Sequence, residues 1–355
     1  MKHISYSSFE AAKYFPALDG LRAICVLMVM FSHIPGGVAR PPWMYGFLGV
    51  DVFFVLSGFL ITTLLIRERA RTGRVSLRGF YARRFFRIVP VYLFTVLLYF
   101  TAVHVMRDPV KTVQFKAALP WLLGFMQEYR PAAAGNVLGH AWTLGIEEKF
   151  YLLWPILLMA TKPTEGRALV WLLSLCLGIS ALPYMYMRSY GGLLIGAMLA
   201  IALSVPVCWG ILRKLPAFPD ALICLLLLLT YTLAGHNDKF VLLFSGATAL
   251  LIASLVLRRG PLRRFLESPG LVYIGRRSYA MYLIHVLVAD AIGHLVPKIL
   301  PSNWFLVVTA SYLASLAGAS FMYLTIERPC ISFGKRLSDR LMDRERVRLA
   351  AEVSA

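Results

Sequence analysis

Residues 46–66, GFLGVDVFFVLSGFLITTLLI, form an almost unbroken apolar stretch in which Asp51 is the only charged side chain. A helix needs about 20 consecutive, mostly apolar residues to cross the hydrocarbon core of a bilayer. Similar stretches recur along the whole chain, with only short polar segments between them. This pattern predicts an all-α integral membrane protein with many spans.

The composition supports the same fold class. Of the 355 residues, 59% are hydrophobic and 15% are charged, and the mean hydropathy is +0.68. Soluble domains carry roughly 25% charged residues, so a chain this apolar requires lipid as its solvent. The net charge of +19 does not indicate a nucleic-acid-binding protein, because Lys and Arg occur in short clusters between the apolar stretches and form no single basic domain.

The apolar stretches and the charges between them predict a topology. With the N-terminus inside, roughly three quarters of the 37 Lys and Arg residues fall in the inside segments, which is the bias that orients membrane spans. Both termini are therefore predicted to be cytoplasmic, with a cytoplasmic N-terminus (1–16), a transmembrane domain (17–326) and a basic cytoplasmic tail (327–355) that lies as a helix on the anionic leaflet. A short apolar piece at 115–127 is predicted to be re-entrant or interfacial. About ten transmembrane helices are predicted, at 17–35, 46–66, 88–106, 143–160, 167–184, 189–207, 219–234, 240–257, 278–297 and 304–326.

The sequence predicts neither a cleaved signal peptide nor a disulfide or metal site. Lys2 and Lys13 precede the first apolar stretch, but no small-residue cleavage site follows, so this stretch is predicted to be a retained span. The five cysteines are scattered without a CxxC pair or neighbouring histidines, so neither a disulfide framework nor a metal site is predicted.

Polar side chains within the first two spans are candidate functional groups, since such residues are costly in lipid. Arg22 lies near the predicted cytoplasmic end of the first span and His33 near its outer end, roughly 16 Å higher along the helix. Taken singly, Arg22 is also typical of a snorkelling anchor and His33 of an interfacial residue. Asp51 opens the second span at a depth close to that of His33. Ser57 and Gly58 are typical of a close contact between helices.

Two further motifs carry charge into the membrane. In FYARRFFRIVP (80–90), Arg84 and Arg87 are three residues apart and share a helix face, an arrangement suited to phosphate, although positive-inside anchoring is an alternative. Glu147 and Glu148 begin a later span and point about 100° apart, so they cannot both face one site. Together with the first span, these motifs place arginines at the inner half and acids with histidine at the outer half. This separation of basic and acidic groups along the membrane normal fits a phosphorylated donor of the shape of coenzyme A.

Six sequence motifs follow one another along residues 10–335, and the first of them holds an arginine and a histidine separated by ten residues. The motifs are Phe15-Pro16-Ala17-Leu18-Asp19-Gly20-Leu21-Arg22 leading to His33, Gly49-Val50-Asp51 through Ser57-Gly58-Phe59, Arg83-Arg84-x-x-Arg87-x-x-Pro90, Trp142-Thr143-Leu144-x-x-Glu147-x-x-Phe150-Tyr151, Ser278-Tyr279-x-x-Tyr282-Leu283-x-His285 and Glu327-Arg328-Pro329. In this order, the motifs resemble those of the acyltransferase-3 family, whose members O-acylate bacterial surface polysaccharides, nodulation factors and some antibiotic sugars.

The resemblance implies an enzyme that moves an acyl group, with acetyl the expected one, from cytoplasmic acyl-CoA to a saccharide hydroxyl. His33 is then the general base, and Glu147 or Asp51 orients and stabilises it. Covalent acyl-histidine catalysis is the alternative. Acyl-CoA is expected as a co-substrate, held by Arg22, Arg84 and Arg87 with Arg83 beside them, and no bound cofactor is expected. Substrate contacts are predicted for Trp142, Tyr151 and His285, for which interfacial aromatics and a packing histidine are the alternatives.

The expected setting is the bacterial inner membrane, where the protein is a multi-pass component. Its expected partners are a saccharide or glycolipid acceptor, acyl-CoA and membrane lipids, and no nucleic acid. Some family members carry an extracytoplasmic hydrolase-like domain. Since this sequence ends soon after Glu327-Arg328-Pro329, the chain is expected to act alone or with a separate extracytoplasmic acyl-accepting protein. The competing function is a transporter or exporter, but the sequence has no internal repeat of the kind that transporters carry.

Overall fold

The structure is a computed structural model that describes residues 2–12, 14–33, 45–105, 107–160, 171–172, 174–175, 178, 187–214, 220–295 and 304–354. Throughout that part of the chain the regular structure is helical, apart from two strands of two residues each, so the predicted all-α class is confirmed there. The helices are α1 (Tyr6–Ala11), α2 (Pro16–Ser32), α3 (Leu48–Thr72), α4 (Leu77–Val105), α5 (Pro109–Leu123), α6 (Trp142–Ala160), α7 (Met187–Ser204), α8 (Pro206–Lys214), α9 (Asp220–His236), α10 (Val241–Leu257), α11 (Pro261–Leu266), α12 (Pro269–Arg276), α13 (Ser278–Leu295), α14 (Trp304–Met322) and α15 (Arg328–Ser354).

Within the described residues, three helices are long and apolar enough to cross a membrane: Leu48–Thr72, Leu77–Val105 and a continuous helix, Phe305–Arg344, that joins α14 to α15. A fourth candidate is the pair Ser189–Ser204 and Pro206–Leu212, which bends by 102° at its break. These helices support a membrane protein. The count of ten spans and the cytoplasmic location of both termini remain predictions, and the span predicted at 167–184 lies almost entirely outside the described residues.

Helices α3 and α7 pack so closely that the backbone of each is in contact with that of the other. A Cβ added to Gly58 would lie 1.9 Å from the Leu193 carbonyl oxygen, and one added to Gly196 would lie 2.0 Å from that of Val55. Only glycine permits such an approach on each helix, because any side chain would overlap the opposite backbone. The close contact predicted for Ser57 and Gly58 is therefore made by Gly58, which leaves the neighbouring Ser57 side chain to face another direction.

Replacing Gly58 with Ala is expected to destabilise the bundle, since the new Cβ forces α3 and α7 apart and overpacking of this kind costs about 1–3 kcal/mol. Gly246→Ala in α10 is the matched control. A Cβ there meets no atom within 4 Å, and Ala is the better helix former by up to about 1 kcal/mol. Thermal unfolding of the detergent-purified variants should show a lower Tm for Gly58→Ala alone. Equal Tm values for the two variants would contradict the close contact.

The N-terminal segment closes one end of the bundle, called here the inner end and marked by Tyr14, Arg67 and Arg276. Arg67 of α3 donates hydrogen bonds to the carbonyl oxygens of Phe9 and Ala12, each at 2.5 Å. Strand β1 (Lys2–His3) pairs antiparallel with β2 (Arg258–Arg259), which follows α10. The charge pattern predicts that this end faces the cytoplasm.

The basic C-terminal tail begins inside the bundle. Its first half packs along α4, where the rings of Phe86 and Phe333 lie 4.8 Å apart and Arg83 donates a hydrogen bond to Ser338. The predicted domain boundary at 327 falls within the continuous helix Phe305–Arg344. That the remainder of the tail lies on the anionic leaflet stays a prediction.

The short element predicted at 115–127 overlaps α5, which Asp108 caps by accepting a hydrogen bond from the Lys111 backbone N–H. Fifteen residues give a length of roughly 22 Å, less than the roughly 30 Å of the hydrocarbon core. The helix buries Phe115 and Leu122 in the core, and Tyr92 of α4 donates to the Leu122 carbonyl at 3.0 Å. A helix of this length suits the predicted re-entrant or interfacial role.

Candidate active site

A large polar hollow, called here the inner cavity, extends from the inner end into the middle of the bundle. It consists of two adjoining spaces of about 1200 Å³ and about 780 Å³. The space nearer the inner end reaches Tyr14 and Arg67, and the deeper one reaches Thr143 and Tyr282. Side chains from seven α-helices, from the turn Tyr323–Glu327 and from the loop before α2 line the cavity. Those that line both spaces are Arg22, Ser57, Arg84, Arg87, Tyr151, Arg276 and Glu327.

Three arginines predicted from the sequence converge on the inner cavity. Arg84 and Arg87 share the lining face of α4, and Arg22 reaches the same space from α2. The Arg84 guanidinium lies 5.3 Å from the ring centroid of Tyr151, a cation–π contact that orients it. Arg22 pairs loosely with Asp19, at 3.8 Å between Nη1 and Oδ1. A cluster of guanidinium groups in a water-accessible hollow is suited to phosphate.

Acidic side chains face these arginines from two elements. Glu147 accepts a hydrogen bond of 2.8 Å from the Ser57 hydroxyl, and Tyr151 donates one of 3.1 Å to the same serine. Glu327 reaches the cavity from a π-helical turn, Tyr323–Glu327, between α14 and α15. Its Oε2 is buried without a hydrogen-bond partner. Glu148 does not line the cavity, in keeping with the prediction that the two adjacent acids face different directions.

Arg83 takes a different place from its neighbours on α4. Its Nη2 donates to Oε2 of Glu68 at 2.6 Å, and its Nη1 donates to the Ser338 hydroxyl. It lines neither space of the inner cavity. The side chain therefore ties α4 to α3 and α15. Of the four arginines predicted for the donor, Arg22, Arg84 and Arg87 line the inner cavity.

A second polar hollow, the outer cavity, opens at the opposite end of the bundle and holds about 690 Å³ of empty space. Its walls come from the end of α2, the loop that follows α5 and the start of α6. Arg130 is fixed there by hydrogen bonds to Asn136 Oδ1 at 2.8 Å and to the Val137 carbonyl at 3.1 Å. The lining residues are His33, Gln127, Glu128, Arg130, Asn136, Gly139, His140 and Trp142.

Three histidines from distant parts of the chain meet beside the outer cavity. The ring centroid of His285 lies 5.0 Å from that of His33 and 4.8 Å from that of His140, and His33 and His140 are 6.3 Å apart. His33 is exposed to the outer cavity, whereas His140 and His285 are buried. Within the described part of the chain, no three His, Cys, Asp or Glu side chains are placed to hold a metal ion.

A thin wall separates the histidines from the inner cavity. The Tyr282 hydroxyl donates to the His140 carbonyl at 2.6 Å and lies 2.9 Å from the Thr143 hydroxyl. Tyr282 and Thr143 also line the deep end of the inner cavity. The Tyr282 ring is 5.5 Å from that of His140 and 5.7 Å from that of His285. The two cavities therefore approach each other at the histidine cluster.

The other predicted site residues lie in one cavity or the other, except for Asp51. Trp142 lines the outer cavity and Tyr151 the inner one. Asp51 is half-buried in the first turn of α3 and lines neither cavity. Glu147 lies with Ser57 and the arginines, whereas His33 faces the outer cavity.

Comparison with known proteins agrees with this geometry. The protein family described as an acyltransferase domain, acyltransferase-3, matches residues 15–324. The chain belongs to the acyltransferase-3 family. The match covers α2 to α14 and thus every element that lines the two cavities except Tyr14, most of the turn Tyr323–Glu327, and α15, which contributes Ile331.

Two acyltransferase-3 relatives illustrate the similarity. The chain is 33% identical over 309 residues to O-acetyltransferase OatA of Staphylococcus aureus (strain NCTC 8325), an alignment that covers 77% of this chain and 50% of the relative. It is 29% identical over 319 residues to the putative O-acetyltransferase SACOL0978 of S. aureus (strain COL), covering 80% of this chain and 52% of that protein. The chain thus spans about half the length of the curated relatives it matches. No solved structure matches it significantly.

The structure of this acyltransferase-3 chain brings in residues that sequence reasoning passed over. Ser57 was interpreted as a packing residue, yet its hydroxyl lines the inner cavity and bonds Glu147. His140 and Tyr282 both lie within or beside quoted motifs, but no local pattern indicates that they would touch. Glu327 also belongs to a motif, but the direction of its side chain depends on a π-helical turn, which no sequence pattern predicted.

Proposed function

We propose that this protein is a membrane O-acyltransferase that moves an acyl group, acetyl in the first instance, from acyl-CoA in the inner cavity to a saccharide hydroxyl in the outer cavity. The observation that carries the proposal is the approach of an arginine-lined cavity and a polar outer cavity to one histidine cluster. The family and the names of the relatives support a transferase and weigh against the transporter alternative.

The inner cavity suits acyl-CoA because its positive charge is concentrated at the arginines and not at its deep end. Arg22, Arg84 and Arg87 offer guanidinium groups to phosphates, and guanidinium forms strong, charge-assisted hydrogen bonds with such anions. Beyond them, the deep space extends to Tyr282 and Thr143. Coenzyme A carries its phosphates at one end and a long, thin arm at the other, so phosphates held at the arginines send the thioester towards the histidines.

His33 acts as the general base in this proposal. Its Nδ1 lies 2.9 Å from the Val29 carbonyl, which can only accept a hydrogen bond, so this nitrogen carries the proton and Nε2 keeps its lone pair. Nε2 takes the proton of the acceptor hydroxyl as the oxygen attacks the thioester carbon. The carbon–sulfur bond breaks, and the thiolate takes up the proton to give free coenzyme A.

The outer cavity has the character of a carbohydrate site. Trp142 offers an aromatic face, and Asn136 and Arg130, which are bonded to each other, offer N–H groups that bond hydroxyls. Tyr151, in the inner cavity, takes no part in binding the acceptor and instead orients Arg84 and Ser57. We place the outer cavity on the extracytoplasmic side of a bacterial inner membrane, with both termini in the cytoplasm, as the charge pattern predicts.

Sealed membrane vesicles test the proposal. Inside-out vesicles from cells that express the protein should transfer label from labelled acetyl-CoA to envelope saccharide. Right-side-out vesicles should not, because acetyl-CoA does not cross the bilayer. Transfer from right-side-out vesicles alone would overturn the proposed orientation. If neither preparation labels saccharide, with acetyl-CoA or with longer acyl-CoAs in membranes of the native host, the transferase function is wrong.

A further inference from the structure

Four arginines line both spaces of the inner cavity, and the proposed function uses three of them. The fourth, Arg276, is the last residue of α12 and belongs to none of the sequence motifs. Its side chain is 51% exposed, compared with 19% for that of Arg22. Arg276 therefore lies at the mouth of the cavity, on the side of the arginine cluster that is farther from the histidines.

The guanidinium group of Arg276 is held in a fixed position. Its Nε and Nη2 both donate hydrogen bonds to the Tyr14 hydroxyl, each at 3.2 Å, and its Cζ lies 5.2 Å from the centroid of the Tyr14 ring. The backbone of α12 is fixed as well, since a Cβ added to Gly275 would lie 1.8 Å from the Asp19 carbonyl oxygen of α2. A side chain that is already ordered loses little conformational entropy when it binds a ligand.

Most of the hydrogen-bonding capacity of Arg276 is still available to a ligand. A guanidinium carries five N–H groups, and among the described residues its hydrogen bonds go to the Tyr14 hydroxyl alone. The Asp19 carboxylate lies 3.8 Å from Arg276 Nε and also 3.8 Å from Arg22 Nη1. Because one carboxylate is shared between two guanidinium groups, positive charge remains at the mouth of the cavity.

We infer that Arg276 binds the 3′-phosphate of coenzyme A at the mouth of the inner cavity and gives the protein a preference for 3′-phosphorylated donors. The inference rests on the proposed function. In coenzyme A the 3′-phosphate sits on the ribose, at the opposite end of the molecule from the thioester. With the thioester at the deep end and the pyrophosphate at the cluster of Arg22, Arg84 and Arg87, the ribose lies at the mouth, beside Arg276.

The chemistry of the two groups matches. A phosphate monoester carries a charge of about −1.5 to −2 at pH 7, and a guanidinium binds it through parallel, charge-assisted hydrogen bonds. Anionic lipid headgroups at the cytoplasmic surface offer similar phosphate chemistry. The cavity favours the donor, because Arg276 lines the same two spaces as the arginines assigned to the pyrophosphate.

Two donors that differ only in this phosphate, acetyl-CoA and 3′-dephospho-acetyl-CoA, test the inference in inside-out vesicles. The wild-type KM should be about 10- to 100-fold lower for acetyl-CoA, the range expected for hydrogen bonds to a charged group. Arg276→Gln should raise the KM for acetyl-CoA to that for the dephosphorylated donor. Its KM for 3′-dephospho-acetyl-CoA and its kcat with either donor should remain those of the wild type, since the variant leaves the pyrophosphate site and the histidines intact.

Two control variants separate the 3′-phosphate from the other phosphates and from general charge. Arg264 is an exposed arginine of the neighbouring helix α11 and lines neither cavity, so Arg264→Gln should keep the wild-type preference. The double variant Arg84→Ala, Arg87→Ala should raise the KM for both donors by the same factor, because both donors carry the pyrophosphate. A KM that rises for acetyl-CoA alone in this double variant would place the 3′-phosphate on α4 and overturn the inference.

The inference is also overturned if the wild type has the same KM for both donors. It is equally overturned if Arg276→Gln keeps the wild-type preference, as expected of an arginine that binds only lipid headgroups. An equal rise in KM for both donors in Arg276→Gln would show a structural role through Tyr14 and Asp19 and would overturn it too. In each of these cases, transfer from acetyl-CoA leaves the proposed function standing, whereas a wild type that transfers from neither donor removes both.

Discussion

His33→Ala is expected to lower acyl transfer by about 10²- to 10⁴-fold, the range over which a positioned general base contributes. The side chain is exposed to the outer cavity at the C-terminal end of α2. Its loss removes the group that takes the hydroxyl proton but leaves the packed core of the bundle untouched. The measurement is label transfer in inside-out vesicles at equal amounts of inserted protein.

The matched control for His33→Ala is His104→Ala. This histidine is exposed at the C-terminal end of α4, where its Nδ1 also faces a carbonyl oxygen four residues earlier, that of Phe100 at 2.8 Å. The two substitutions thus remove the same local bond, but only one removes a group from the cavity. Equal transfer by the two variants would refute the base assignment. A large loss in both would indicate damage to the bundle.

The double variant Arg84→Ala, Arg87→Ala is expected to raise the KM for acetyl-CoA by roughly 100-fold. Both guanidinium groups line the inner cavity from one face of α4. A hydrogen bond to a charged group contributes about 1.5–3 kcal/mol, and each 1.4 kcal/mol corresponds to about a tenfold change in affinity. Saturating donor should restore part of the rate, since the histidines are unchanged. Initial rates at graded acetyl-CoA concentrations measure the effect.

The control for this double variant removes the same amount of charge at the same end of the protein. Arg71 at the end of α3 and Arg78 at the start of α4 are both exposed and line neither cavity. Arg71→Ala, Arg78→Ala should therefore keep the wild-type KM. If both double variants raise KM equally, the arginines of α4 act only through the general positive charge that anchors this end of the protein.

Local sequence patterns predicted most of the helices, because an apolar run is a property of consecutive residues. The structure places α2, α6, α9 and α10 within a few residues of the predicted spans at 17–35, 143–160, 219–234 and 240–257. Helix α4 shows the clearest difference between a predicted span and the observed helix. It begins at Leu77, well before the predicted 88, because the basic stretch 80–90 is helical as well as charged. Hydropathy marks where lipid contacts a helix and does not mark where the helix begins.

The division of roles among the basic residues of α4 shows the limit of such patterns. Spacing alone placed Arg84 and Arg87 on one helix face, and both line the inner cavity. Arg83, one position earlier, points elsewhere because each helical residue turns by about 100°. Its partners, Glu68 and Ser338, come from an adjacent helix and from the far end of the chain, so no local pattern could supply them.

By itself, the sequence determined the membrane class, most of the helices, the arginine and histidine in α2 and the arginine pair in α4, since each of these depends on residues within a few turns of one another. Only the tertiary structure decided which side chains meet. It brought His33, His140 and His285 together from three distant segments, and it placed Glu147 with Ser57 in the inner cavity. The physical reason is that helix packing joins residues far apart in the chain, and backbone contacts such as that between Gly58 and Leu193 set how the helices lie against one another.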